Sequence, residues 1–280
     1  MEEKMTGFKT FRAILGPIYR IWYRPTIIGR ENIPEEGAIL VVGNHIHIMD
    51  QCNVILSTKR CIHYMAKKEY FDPKYKEGKF PWFFRLAGCI PVDRSKKDTE
   101  AVDTAIEVLK DGWALGLFPE GTRNGLKDVR IKELYEKYIT DTDYETFLKK
   151  MKKAKNKASF ITYLEELKDQ KIITKKELQE NIYDADAFLK ELIKKKRIKK
   201  EEYMNHYLLP LKFGAVSMAQ KTDSLLVPYA ITGTYKFRSK DLTINIGKPF
   251  KVGDDLEKAN QKLEKEIKKL IEESLKKNGK

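Results

Sequence analysis

Cysteine is scarce in this 280-residue chain. Cys52, Cys61 and Cys89 form no close-spaced pair, which excludes a cysteine-built metal framework and fits a reducing compartment. Only four histidines occur, so each can be weighed singly. No apolar run reaches the roughly 18 residues that a membrane-crossing helix needs. Charges also break the N-terminal apolar positions, so neither a spanning helix nor a signal peptide is expected. Glycine and proline vanish between residues 127 and 208, which removes the turn signals of a sheet from that stretch.

Charge, by contrast, is plentiful. Charged residues make up 34% of the chain and the formal net charge is +14, while 41% hydrophobic residues still allow a sizeable core. Such an excess of cations suits an anionic partner: nucleic acid, an anionic bilayer surface or a phosphorylated substrate.

Outside 127–208 the pattern alternates between strands and helices. Short apolar runs at 26–28, 38–42, 62–66, 89–92, 114–118, 225–231 and 242–246 read as strands. Thr99–Lys110, 213–220 and 254–277 read as helices, and Gly112 stands where a C-terminal glycine cap belongs. This alternation predicts an α/β fold with a mostly parallel or mixed central sheet flanked by helices. Residues 1–24 form a separate segment, in which Phe8, Phe11, Ile14, Leu15, Ile18, Ile21 and Trp22 recur at helical spacing among Lys9, Arg12, Arg20 and Arg24. That is an amphipathic helix, either lying in a membrane interface or packed on its own domain. The sheet-forming domain is expected over 25–126 and 209–280. Residues 127–208 read as a helical insertion with an internal repeat. Leu164, Leu167, Ile173, Glu177 and Leu178 recur 25 positions later as Leu189, Leu192, Ile198, Glu202 and Tyr203, and Thr174 with Glu177 has capping-box spacing.

The richest stretch is Asn44-His45-Ile46-His47-Ile48-Met49-Asp50, between a buried strand and a helix start. A turn there can bend the His45 imidazole onto the Asp50 carboxylate, which fixes the tautomer and makes the other ring nitrogen a general base. Phe118-Pro119-Glu120-Gly121-Thr122-Arg123 stands at another strand end, where ligands of α/β proteins usually bind. Gly121 lets backbone N–H groups approach an anion, Arg123 offers a planar fork to phosphate, and Glu120 can orient that arginine or hold a hydroxyl. Arg94 follows a strand and offers a second phosphate contact, while Asp93 is expected to pair with Arg94. His47, His63 and His206 read as structural, as does Cys52. No further ligand clusters with His45, His47 and Asp50, so no metal is expected.

These motifs occur in one order: Asn44-His45-x-x-x-x-Asp50, then Gly88-Cys89-Ile90-Pro91-Val92-Asp93-Arg94, then Phe118 to Arg123, then an apolar strand carrying Val227-Pro228. The set resembles the glycerolipid acyltransferase family, in particular the bacterial 1-acyl-sn-glycerol-3-phosphate acyltransferases, over residues 24–126 and 209–250. The resemblance implies the glycerolphosphate acyltransferase fold and acyl transfer from acyl-CoA or acyl carrier protein to the hydroxyl of lysophosphatidic acid, without a cofactor. It assigns His45 as base, Asp50 as its orienter, and Asn44, Arg94, Glu120, Gly121, Thr122 and Arg123 to the phosphate and glycerol site. Val227 and Pro228 would line the substrate cleft. A peripheral or monotopic place on the cytoplasmic face of the cell membrane follows, with a phospholipid surface as partner. Glycerol 3-phosphate or another lysolipid is the alternative acceptor. A basic nucleic-acid-binding module is the rival of another class, and the repeat argues against it because it is acidic as well as basic. The long helical insertion departs from the family's short link.

Overall fold

The structure is a computed structural model and describes residues 5–75, 78–79, 81–95, 98–154 and 156–277, so the first four residues of the N-terminal segment lie outside it. The chain divides into two compact units, Met1–Gly121 with Leu211–Lys280, and Thr122–Pro210.

The first unit is built on β2 (Ile39–Gly43), buried at every position. A continuous Ile-Leu-Val-Val run suits a strand covered on both faces. β5 (Ala114–Leu117) and β6 (Leu225–Thr232) flank it in parallel, with Ile39 opposite both Ala114 and Leu225. β3 (Ile62–Lys67) continues beside β5, and β4 (Ile90–Val92) beside β3, both parallel. Beyond β6 the direction reverses. β7 (Thr243–Ile246) is antiparallel to it, and β1 (Thr26–Ile28) runs parallel to β7. The two-residue β8 (Phe250–Lys251) pairs antiparallel with the start of β6. Among the described residues the result is one eight-stranded mixed sheet in the order β1-β7-β6-β2-β5-β3-β4, the α/β class that the alternation predicts. β8 is too short to carry a periodic signal. Five parallel strands, β6-β2-β5-β3-β4, therefore end along one edge, and the motifs follow those ends.

Two expectations about the apolar residues change. Val227 and Pro228 do not line a cleft: Val227 belongs to the central core cluster, and both are buried within β6. Pro228 is tolerated there because the β8 pairing stops at Leu226 and the β7 pairing begins at Tyr229, so no antiparallel partner needs its missing N–H. The N-terminal segment is also two-sided. α1 (Thr6–Thr10) leads through a π-helical turn at Phe11–Leu15 into α2 (Gly16–Tyr23). Phe8, Phe11 and Tyr19 are buried, whereas Ile14, Leu15, Ile18, Ile21 and Trp22 are exposed. Helical spacing identifies the apolar positions but not which stripe meets the core. Gly16 permits the close approach of α2 to α3 (Asp50–Ser57): a Cβ there would stand 2.7 Å from a Leu56 methyl.

Where the chain leaves the sheet at Gly121 and returns at Leu211, the two ends are joined. Lys212 N donates to Pro119 O at 2.9 Å.

Among its described residues the second unit is helical. The helices Ala158–Asp169 and Lys175–Asn181 form one copy of the repeat; Ala185–Lys194 and Lys200–Asn205 form the other. The copies share backbone geometry. Lys171 (φ 60°) and Lys196 (φ 57°) both end their helices in the left-handed region. Ile172 N bonds Leu167 O and Arg197 N bonds Leu192 O, each at 2.9 Å. The Thr174–Glu177 capping box forms as the spacing predicts. Arg197 reaches between the copies to the Glu177 carboxylate and the Ile172 carbonyl.

Candidate active site

β2 delivers Gly43 to a sharp turn. A Cβ on Gly43 would lie 2.5 Å from the Tyr229 ring, so only glycine fits beneath that side chain. The next residue, Asn44, is buried, and both ends of its amide are engaged by one partner. Its Nδ2 donates to Ile231 O at 2.9 Å, and its Oδ1 accepts from Ile231 N at 2.7 Å. Asn44 thus bolts the end of β2 to the end of β6 and is not a substrate ligand.

His45 and Asp50 come together as the turn predicts. His45 Nδ1 lies 2.7 Å from Asp50 Oδ2. Asp50 opens α3 and has 0% exposure. Its Oδ2 also accepts from the backbone N–H groups of Ile46 (2.6 Å) and His47 (2.8 Å), and Oδ1 accepts from the Tyr235 hydroxyl at 2.5 Å. A buried carboxylate is costly unless its lone pairs are met, and here four donors meet them. With the carboxylate as acceptor, Nδ1 of His45 is the donor, so Nε2 carries the lone pair that can take a proton. The imidazole stacks on Phe118, centroids 3.9 Å apart, which fixes its plane.

The Phe118-to-Arg123 motif adds a second carboxylate. Glu120 is buried and its Oε1 accepts from His45 N at 2.7 Å. It therefore braces the turn that carries His45. Gly121 is left-handed (φ +69°), and a Cβ there would stand 2.8 Å from Lys212 Nζ. Lys212 is a cation beside this turn that no motif announces. Thr122 and Arg123 are the first residues of the second unit. Arg123 is exposed, and within that unit it lines a shallow pocket of about 280 Å³ with Leu126, Val129 and Arg130.

Arg94 is exposed just past β4. β4 is three strands from β2 along the sheet, roughly 14 Å at usual strand spacing. Asp93 does not pair with Arg94. It binds Lys68 Nζ at 2.6 Å and the Ser95 N–H and hydroxyl, which together hold its carboxyl well below the usual range.

The remaining candidates keep structural tasks. Burial pushes the Cys52 thiol up to about 12, far from a thiolate nucleophile. His63 is buried on the Gly88 carbonyl, and desolvation lowers its pKa, so its ring stays neutral. His206 stacks on Tyr163 and meets Glu166 at 3.2 Å. His47 stacks on Tyr235, centroids 4.1 Å apart. Among the described residues no three His, Cys, Asp or Glu side chains gather as a metal cage requires.

Comparison with known proteins gives the family and the fold. The acyltransferase family model matches residues 24–232. The chain is 33% identical over 109 residues to a 1-acyl-sn-glycerol-3-phosphate acyltransferase of Bacillus subtilis, covering 38% of this chain and 51% of that protein. It is 32% identical over 107 residues to the protein of the same name from Borreliella burgdorferi, covering 38% and 41%. The chain thus spans about half the length of the curated relatives it matches. The crystal structure of the 1-acyl-sn-glycerophosphate acyltransferase PlsC from Thermotoga maritima superposes with a TM-score of 0.52 at 18% identity, over 95% of this chain and 81% of that one. At that identity the likeness establishes a shared fold.

Proposed function

This chain belongs to the acyltransferase family, and from that premise we propose that it acylates 1-acyl-sn-glycerol 3-phosphate to phosphatidic acid. The donor is a thioester, acyl-CoA or acyl carrier protein. The observation that carries the reading is the 2.7 Å His45–Asp50 contact on a carboxylate held by three further donors. The acceptor hydroxyl gives its proton to His45 Nε2 as its oxygen attacks the thioester carbonyl. Asp50 stabilises the imidazolium that forms. The carbon–sulfur bond breaks, and the departing thiolate takes up the proton. Positioned base catalysis supplies about 10²–10⁴ in rate, and the rest comes from holding two substrates in register. Arg94 serves the acceptor phosphate, and it is exposed, as a headgroup contact needs.

The acceptor carries an acyl chain, so the enzyme meets it at a lipid surface. No helix among the described residues is long and apolar enough to cross a membrane. The exposed stripe of the π-helical turn and α2 supplies an alternative: Ile14, Ile18, Ile21 and Trp22, with Phe237 packed edge-on against Trp22. Exposed Arg20, Arg24, Lys236, Arg238 and Lys240 surround it. Each basic residue near an anionic surface contributes about 1 kcal/mol, and the apolar stripe adds to that by area. A peripheral seat on the cytoplasmic face of the cell membrane is part of the proposal. The test is an acyl-transfer assay with both thioester donors on lysophosphatidic acid, other lysolipids and glycerol 3-phosphate. Transfer to lysophosphatidic acid is expected; transfer to glycerol 3-phosphate alone would overturn the acceptor assignment.

A further inference from the structure

Asp50 is held by one side chain that lies far away in sequence, Tyr235, and that residue stands in a hydrogen-bonded chain. Tyr19 on α2 donates its hydroxyl to Asn53 Oδ1 at 2.9 Å. Asn53 Nδ2 donates to the Tyr235 hydroxyl oxygen at 2.6 Å, and that hydroxyl donates to Asp50 Oδ1 at 2.5 Å. Asn53 and Asp50 are both fully buried. Rings fix Tyr235 from two sides: His47 stacks on it and Tyr23 meets it edge-on, centroids 5.5 Å apart. The loop after β6 that carries Tyr235 is tied to α2 at a second point. Arg238 N donates to Trp22 O at 2.7 Å, and Phe237 packs on the Trp22 ring. The side chains at this second junction are the exposed apolar ones.

We infer that Tyr235 is the positioning residue of the His45–Asp50 pair, and that its loop links the exposed face of α2 to that pair. The second half rests on the lipid-surface reading given above; the first does not. Three donors anchor Oδ2 of Asp50, and the phenol meets Oδ1, so the phenol sets how the carboxylate turns about that anchor. The phenol's own position is set by Asn53 and α2. A shift of α2 on contact with lipid therefore reaches Asp50 through three hydrogen bonds. The titratable neighbours are His45, His47, Tyr19, Tyr23, Cys52 and Glu120. Burial raises the pKa of Tyr19, Cys52 and Tyr235, so Tyr235 remains a donor over the working range.

Tyr235→Phe tests this, since it keeps the ring and removes the donor. Its absence leaves more negative charge on Asp50, which then holds the imidazolium more tightly. The His45 ring titration, read by NMR on the full chain, is expected to move to higher pH by about half a unit or more. Loss of orientation is expected to outweigh that gain in basicity: with a short-chain soluble acceptor, kcat falls about tenfold while the acceptor KM stays within about twofold. An unchanged His45 titration would overturn the positioning role, and that readout needs no activity, so failure of the acyl-transfer reading is distinguishable. Tyr19→Phe breaks the chain one step earlier and is expected to shift the titration the same way by less. It answers the question if Tyr235→Phe does not fold. For the link, the wild-type His45 titration is measured with and without vesicles of anionic phospholipid. A vesicle-dependent shift that disappears in Tyr235→Phe is expected; no shift despite vesicle binding would overturn the link. Loss of binding in the Trp22→Ser, Phe237→Ser double variant checks the surface itself. Undiminished binding there would overturn the lipid-surface reading and leave the positioning role standing.

Discussion

Two carboxylates, one in each unit, gather several donors and do different work. Asp50 is fully buried and holds an imidazole, two backbone N–H groups and a phenol. Glu177 keeps 30% of its side chain exposed and holds Arg197 and the Thr174 N–H. The first set leaves a ring nitrogen able to act on something else. In the second, every donor serves only to fasten one repeat to the other and to close a helix end. A count of hydrogen bonds does not separate a site from a stitch. What separates them is burial together with a member whose other end remains available for chemistry.

The sharpest way to break the comparison is at the imidazole. His45→Ala is expected to cut acyl transfer by about 10²–10⁴ in a protein that still folds, because the Ile46, His47 and Tyr235 donors continue to hold the Asp50 carboxylate. Asp50→Asn is expected to cost comparable activity and stability as well, since an amide N–H would face the donors of Ile46 and His47. A His45→Ala enzyme with normal turnover would remove the mechanism. Next in size, Arg94→Ala is expected to raise the acceptor KM by about tenfold or more with little change in donor KM. Equal losses for both substrates would contradict the assignment. Smaller still, Ile18→Ser with Ile21→Ser is expected to weaken co-sedimentation with anionic vesicles severalfold, more so at high salt, since the screening length falls from about 8–10 Å at physiological ionic strength to about 3 Å at 1 M. Truncating residues 1–24 is a poor substitute, since it removes Phe8, Phe11 and Tyr19 from the interior.

The smallest effect belongs to the stitch. Glu177→Gln is expected to lower the melting temperature by about 1–3 °C and leave turnover unchanged. Arg197 and the Thr174 N–H hold the Glu177 carboxyl at about 2, below its ordinary value. Its stabilising share is therefore complete above the unfolded carboxyl's pKa and fades as pH falls toward 2. A wild-type minus variant difference in melting temperature that persists below that point would argue against the ion pair.

Local patterns carried much of this. The β2 run, the Thr99–Lys110 helix, the repeat and the His45–Asp50 turn all rest on residues near one another in sequence. What stayed hidden depends on distant partners. Tyr235 is 185 positions from Asp50, and Asn44 is 187 from Ile231. Nothing in a tyrosine after an apolar strand signals that it will reach a carboxylate in another loop. Lys212 is hidden likewise, since it meets Gly121 only because the chain returns there. The α2 stripe shows the reverse limit. Its apolar positions are legible, but a helix apolar on two sides does not say which side meets water.

The hydrogen bond between Pro119 and Lys212 makes the sheet indifferent to what lies between them. It is a closed gate: the chain departs and returns at nearly the same place, whatever the length of the excursion. Each doubling of such an excursion costs only about 0.6 kcal/mol of closure entropy. The sheet can therefore host a helical cargo, exchange it for another, or carry a bare turn, with its strands in the same register. A protease cut within the excursion would leave β5 and β6 on either side of β2, held by their pairing and not by the chain that once connected them.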